Sequence, residues 1–301
     1  MVRTVVAGLD GSPESRAAVE WAAREAELHG LPLKIVHAWE PVPDPIAQAP
    51  LVGGETLQHW SEKIPRETGE GVELSHPGLE VVTEQASGRP ADVLTDSAKD
   101  AELLVLGSRG LSGVGGFMIG SVGLSVIAHT ERPVVLVRAG EQASDEHEPD
   151  PAGVPSAVTR YRPVVLGLDV TGPDASVIEF AFEEAVRRGA SLRAVYGWNL
   201  PPYYTYGLAG DSAFHEEIAG QQARALAGVL TPWQAKYPAV EVSAESRPGS
   251  AADHLVDASR EASLVVVGRR IRRSPVGAHI GPVTHAVLHH ATAPVAVVSH
   301  G

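Results

Sequence analysis

The sequence contains no cysteine. That excludes disulfides, thiolate nucleophiles and cysteine zinc sites, and it agrees with a reducing compartment. Long apolar runs are also missing: residues 103–106 and 264–267 are strand-sized, far below the roughly 20 residues a membrane helix needs. Residues 1–8 show no charged region leading into a long apolar stretch and cleavage site, so no export signal is expected. Nor is there an excess of positive charge. Lys and Arg total 24 against 37 Asp and Glu, a formal charge of -13, which repels polyanions and argues against nucleic acid or an anionic membrane surface as a partner. A soluble, cytoplasmic protein is the expectation. The chain further lacks a Gly-x4-Gly-Lys-Ser/Thr loop and an obvious pair of metal-holding carboxylates, so a dedicated phosphoryl-transfer enzyme is not expected, although slow hydrolysis stays open. A small anion remains admissible, because backbone N–H groups and helix dipoles make local positive potential whatever the net charge.

What is present is an ordinary globular balance, 44% hydrophobic and 20% charged over 301 residues. This is about twice a usual domain, so two domains are expected. Comparing the chain with itself supports that, because offsets of 159 to 161 superimpose its halves. Val5-Val6-Ala7-Gly8-Leu9-Asp10 matches Val164-Val165-Leu166-Gly167-Leu168-Asp169. Leu103-Leu104-Val105-Leu106-Gly107 matches Leu264-Val265-Val266-Val267-Gly268, and Pro133-Val134-Val135-Leu136-Val137 matches Pro294-Val295-Ala296-Val297-Val298.

Between these β-branched runs lie segments of helical period, such as Ala17, Ala18, Trp21, Ala22, Glu25 and Leu28, closed by Gly30 as a C-cap. Uninterrupted apolar strands alternating with helices imply an α/β fold: two tandem doubly wound, Rossmann-like domains with parallel sheets covered on both faces. The expected boundaries are 1–140, an acidic solvated linker at 141–158, and 159–301. Residues 41–54 read as loop, Pro65 as a break that leaves the next helix short, and residues 213–235 as one long helix.

Chemistry concentrates after the strand at 103–106. Gly107-Ser108-Arg109-Gly110 is followed by Gly120-Ser121-Val122 and a helical pattern. Glycines let the main chain approach an oxygen cluster, and Gly120-Ser121 opens a helix whose first N–H groups face outward, an arrangement suited to a polyphosphate. Ser121 offers a hydroxyl as well, and Arg109 either adds charge or points into solvent. Asp10 ends the first strand, and Ser12-Pro13 reads as an N-cap with proline at N1.

This Gly-x2-Gly-x9-Gly-Ser spacing resembles the ATP-binding signature of universal stress proteins, and the resemblance covers nearly the whole chain as a tandem pair of such domains. It implies an adenine nucleotide site at the strand carboxyl ends. By that resemblance Asp10 meets the ribose or adenine edge and the backbone at Ala38 reads adenine. Gly107, Gly110, Gly120, Ser121 and Val122 then surround ribose and phosphates, with Gly8, Ser108 and Arg109 beside them. The implied ligand is ATP, with ADP or AMP left open and with or without magnesium. The implied role is a nucleotide-dependent stress-response or regulatory module, against a scaffold with a vestigial site or an adenylating or ATP-pyrophosphatase enzyme. It further implies pairing through the final strand of each half, an intramolecular pseudo-dimer with a homodimer and an unidentified regulatory partner left open. Gly123 departs from the family's usual Ser or Thr, shifting one phosphate hydroxyl to Ser125 or losing it.

The second half keeps Asp169 and Gly281, but Ile271 stands at the Gly110 position and Pro282 at the Ser121 position. A branched side chain and a lost N–H both disfavour phosphate, so this cradle is expected to be degenerate. Thr284 returns a hydroxyl at the Gly123 position. Arg269, Arg270, Arg272 and Arg273 form an expected basic loop that either binds an anion differently or is a solvated, salt-bridged face. His285 and His289 have the spacing of a shared metal, yet without a nearby carboxylate they read as surface or interface residues. His37, Tyr196, Trp39 and Trp198 read as packing residues.

Overall fold

A computed structural model describes residues 3–40, 57–108, 120–199, 212–271 and 280–301. The chain divides into two compact units, Met1–Gln142 and, for the second, Ala143–Arg273 with His279–Gly301. Each carries five strands. The first contains β1 (Thr4–Leu9), α1 (Pro13–His29), β2 (Leu33–Trp39), α2 (Leu57–Ser75), β3 (Val81–Ser87), α3 (Pro90–Ala98), β4 (Ala101–Ser108), α4 (Ser121–His129) and β5 (Val134–Arg138). The second contains β6 (Val164–Gly167), α5 (Ala175–Arg188), β7 (Leu192–Trp198), α6 (Ser212–Lys236), β8 (Val242–Pro248), α7 (Ala251–Ala258), β9 (Leu264–Arg270), α8 (Pro282–His290) and β10 (Val295–His300).

Within the first unit the strands lie in the order β3-β2-β1-β4-β5, and within the second β8-β7-β6-β9-β10, so the two connect alike. The pairings are parallel, and the duplication reaches the register: Val5 faces Leu33 and Leu103, as Val164 faces Leu192 and Leu264. Helices on both faces bury the central strands, and Leu103, Leu104, Val105, Leu264, Val265 and Val266 are all fully buried. Each such side chain contributes about 1.5–3 kcal/mol relative to exposure.

Helix ends follow their sequence signals. The Ser12 side chain accepts the Ser15 N–H at 3.2 Å with Pro13 at N1. Gly30 ends α1 at φ 62°, its N–H reaching the carbonyls of Ala26 and Glu27, and Gly189 ends α5 in the same way. Both need the left-handed conformation that glycine adopts without strain.

Two local expectations are corrected. Helix α2 is not shortened by Pro65 but runs through it for 19 residues. The face carrying Ile64, Pro65, Gly69 and Val72 is buried, and a Cβ on Gly69 would stand 2.6 Å from the Thr83 methyl of β3. That packing outweighs the one backbone hydrogen bond the proline forgoes. The acidic stretch 141–158 is not simply solvated either. His147 is buried and bridges antiparallel to Tyr161, their rings 4.0 Å apart. Glu148 N–H donates to the Arg160 carbonyl and Arg162 N–H to the Glu146 carbonyl, both at 2.8 Å. The loop at 41–54 lies outside the described residues, whereas α6 matches the long helix expected at 213–235.

Candidate functional site

Parallel connectivity brings the ends of β1, β2 and β4 and the start of α4 to one edge of the first unit. Asp10 lies just past β1, exposed. Its Oδ1 accepts the Ser12 N–H at 3.0 Å and the Ser12 hydroxyl at 2.5 Å. Ser12 in turn caps α1, so Asp10 orients the cap and is not itself the cap. Ala38 sits one residue beyond the last β1–β2 pair, Leu9 with His37. His37 is a packing residue, its buried Nδ1 2.8 Å from the Leu9 carbonyl.

The residues at the end of β4 have structural duties that the sequence does not reveal. A Cβ on Gly107 would lie 2.5 Å from the Glu14 carbonyl carbon and 2.7 Å from the Ser15 nitrogen. Glycine here lets the first turn of α1 sit on the strand. A Cβ on Gly8 would meet Leu106 and Leu94 side chains at 2.6 and 3.0 Å. Ser108 is buried, and its hydroxyl donates to the Val137 carbonyl at 3.1 Å, so its one proton is already committed. Arg109 and Gly110 lie outside the described residues.

Gly120 is the N-cap of α4 without any side-chain cap, and the first intrahelical bond runs from Leu124 N–H to the Gly120 carbonyl at 3.2 Å. The N–H groups of Ser121, Val122 and Gly123 precede that bond and have no partner among the described residues. Donors at a helix N-terminus are of the kind that suit an anion.

The second unit repeats the frame with different fittings. Asp169 Oδ1 accepts the Thr171 N–H at 2.9 Å and the Thr171 hydroxyl at 2.7 Å, as Asp10 does with Ser12. Gly281 caps α8 with Pro282 at N1, so the first donor is lost. Thr284 does not restore a phosphate hydroxyl: buried, it donates to the Gly268 carbonyl at 2.8 Å. Arg269 and Arg270 are not in a loop but in β9, because Ser299 and His300 of β10 pair with them and extend the ladder. Alternation along the strand then buries Arg269 and exposes Arg270. Arg272 and Arg273 lie outside the described residues.

Sequence reasoning missed a cavity of about 520 Å³ at the strand carboxyl ends of this second unit. Its wall includes Asp169, Asp174, Tyr196, Arg270, Pro282 and His300. Tyr196 is therefore both packed and cavity-facing; its hydroxyl donates to Gln222 at 3.2 Å, and burial, then the Asp169 charge, push its pKa up. Burial raises the Asp174 carboxyl, but bonds from the Ser176 hydroxyl and N–H, with the His300 charge, overcome this and leave its pKa below the ordinary value. The available signal was Pro173-Asp174-Ala175-Ser176, a helix start placed later than Ser12-Pro13. His285 and His289 lie side by side on α8, ring centroids 4.4 Å apart. Burial and then its neighbour His289 hold the His285 pKa below 6.5.

Among the described residues no helix is long and apolar enough to cross a membrane. The chain matches the model of the Universal stress protein family over residues 1–138 and 160–299. A universal stress protein of Mycolicibacterium smegmatis is 32% identical, covering 98% of this chain and 96% of that one. A universal stress protein of Mycobacterium tuberculosis is 33% identical, covering 97% and 96%. Among solved structures, a universal stress protein from Archaeoglobus fulgidus shares the fold with a TM-score of 0.68 at 16% identity, covering 99% of this chain and 98% of that one.

Proposed function

The chain belongs to the universal stress protein family, and on that premise we propose that it is a nucleotide-dependent regulatory module binding one ATP, in its first unit. The observation that carries this reading is the start of α4. Ser121, Val122 and Gly123 present three N–H groups that have no partner among the described residues, within the same edge as the oriented carboxylate of Asp10. Donors of this kind suit phosphate oxygens, and a carboxylate suits ribose hydroxyls or an amino edge. The second unit, where Pro282 removes one of these donors and Ile271 replaces the loop glycine, does not take a polyphosphate. Among the described residues no pair of carboxylates at this edge is placed to hold a metal for rapid transfer, which supports binding as the activity.

Titration calorimetry of the full chain with ATP tests it. One equivalent is expected, and Asp10→Ala should weaken binding by about 1–3 kcal/mol through the lost hydrogen bonds. Unchanged affinity would place the site elsewhere. Multiple turnovers per second on ATP, abolished by Asp10→Ala, would overturn the non-enzymatic reading.

One observation favours a second reading. Gly107 and Ser108 both have packing roles that need no ligand, as a scaffold with a vestigial site would retain them. Mass spectrometry of ligand released from gently purified protein separates the two: a co-purifying adenine nucleotide favours the module.

A further inference from the structure

Helix α8 presents two imidazoles on one face, outside the cavity at the strand ends. Residues four apart on a helix lie one above the other, and the ring centroids of His285 and His289 stand 4.4 Å apart with 43° between their planes. Neither ring lines the cavity. The helix that carries them is anchored at its start and along its inner face. Pro282 occupies N1, the Thr284 hydroxyl donates to the Gly268 carbonyl at 2.8 Å, and Val287 and Leu288 are buried. A held backbone fixes the spacing of the pair, and His285 is exposed, so water reaches it.

The separation of the rings matches two ligands on one ion. An imidazole centroid stands about 1.1 Å behind its ligating nitrogen, which with a metal–nitrogen bond of about 2.0–2.1 Å puts it about 3.2 Å from the metal. Two such rings at a right angle have centroids about 4.5 Å apart, and at a tetrahedral angle about 5.2 Å. The observed 4.4 Å is the right-angle value. His290 lies beyond either distance, its centroid 6.4 Å from that of His289.

Donor chemistry narrows the ion further. Among the described residues no carboxylate or third imidazole completes a set of ligands with this pair, so magnesium and calcium, which take oxygen ligands, are not suited. The chain has no cysteine to supply the soft thiolate that favours copper(I). Two nitrogens at a right angle, with water in the other positions, suit a tetragonal ion, and copper(II) stands highest in the affinity order of the divalent series.

We propose that His285 and His289 form a two-imidazole site for a tetragonal divalent transition-metal ion, copper(II) above the others, with water completing its shell. The site belongs to the second unit, because α4 carries Leu124 and Ala128 at the matching positions. It does not depend on the nucleotide reading of the first unit.

The test titrates the full chain with copper(II) near neutral pH against glycine as a competing chelator, and reads the bound ion by electron paramagnetic resonance. A tetragonal spectrum with two imidazole nitrogens is expected. His285→Ala and His289→Ala should each weaken binding at least roughly tenfold, since even an outer partner of a metal-bound histidine is worth that much. His290→Ala should leave affinity unchanged, zinc(II) should bind more weakly than copper(II), and magnesium should not compete. A tightest-bound ion that survives His285→Ala, a spectrum with one nitrogen, or an equal loss in His290→Ala would overturn the proposal. Thermal melts of the metal-free variants check folding, and if His289→Ala melts early the exposed His285→Ala decides alone.

Discussion

Gly107 and Gly268 occupy the same place in the duplicated fold, yet different neighbours require them. Against Gly107 stands the backbone of α1, whereas against Gly268 stand the tip of His300 and a methyl group of Val177. A helix cannot yield without carrying its whole first turn; a histidine ring can rotate. The same glycine thus marks a closed joint in one unit and the floor of a cavity in the other, and glycine spacing alone does not report a phosphate site.

The largest expected effect breaks this comparison most directly. Gly107→Ala places a methyl group 2.5 Å from backbone carbon and should destabilise the first unit by about 3 kcal/mol, the upper range for overpacking. Gly268→Ala should cost less than about 1 kcal/mol, because its contacts begin at 3.0 Å and are with the ends of side chains, not with backbone, and because alanine reduces unfolded-chain entropy. Urea denaturation of the two variants checks it. Equal losses would mean that the two joints are alike.

Next in size is the exchange of helix starts. Ser121→Pro gives α4 the first residue that α8 has, keeping a backbone suited to N1 while deleting one N–H and one hydroxyl. ATP affinity should fall by about 1–3 kcal/mol with little change in stability. Pro282→Ser should restore no ATP binding to the second unit, since Thr284 remains committed to the Gly268 carbonyl and Ile271 remains in place. Calorimetric stoichiometry reads both variants, and a second ATP in Pro282→Ser would show that proline alone disables that cradle.

These contrasts show where sequence suffices. Strand and helix order, the repeat, the Ser12 and Gly30 caps and the long α6 are legible because each depends on local pattern or on near neighbours. Pro65 is misread because its helix is held by burial against β3, which involves Gly69 and Thr83 far from the proline's own turn. Arg269 and Arg270 look like loop because charge masks a ladder that β10 extends from 30 residues downstream. The oriented carboxylates are legible at Asp10 and Asp169, whereas the cavity beside Asp169 follows from a delayed helix start, visible only when the two halves are compared position by position.

The smallest effect concerns the two helices that follow the cradles. Where α8 carries His285 and His289, the matching positions of α4 are Leu124 and Ala128, so this pair of neighbouring histidines has no counterpart on α4. Burial first, and the neighbouring His289 second, keep the His285 pKa below 6.5. Folded protein then binds fewer protons at this ring than unfolded protein does. The resulting stability is present above pH 6.5 and is lost as pH falls through the lower, folded value. His289→Ala removes the lesser cause, so His285 should titrate higher than in the parent chain yet still below 6.5, because burial persists. An NMR titration of the His285 ring protons measures this. A midpoint that rises to 6.5 would make the neighbour the main cause, and one that does not move would mean that the rings, 4.4 Å apart, exert no charge on each other in solution.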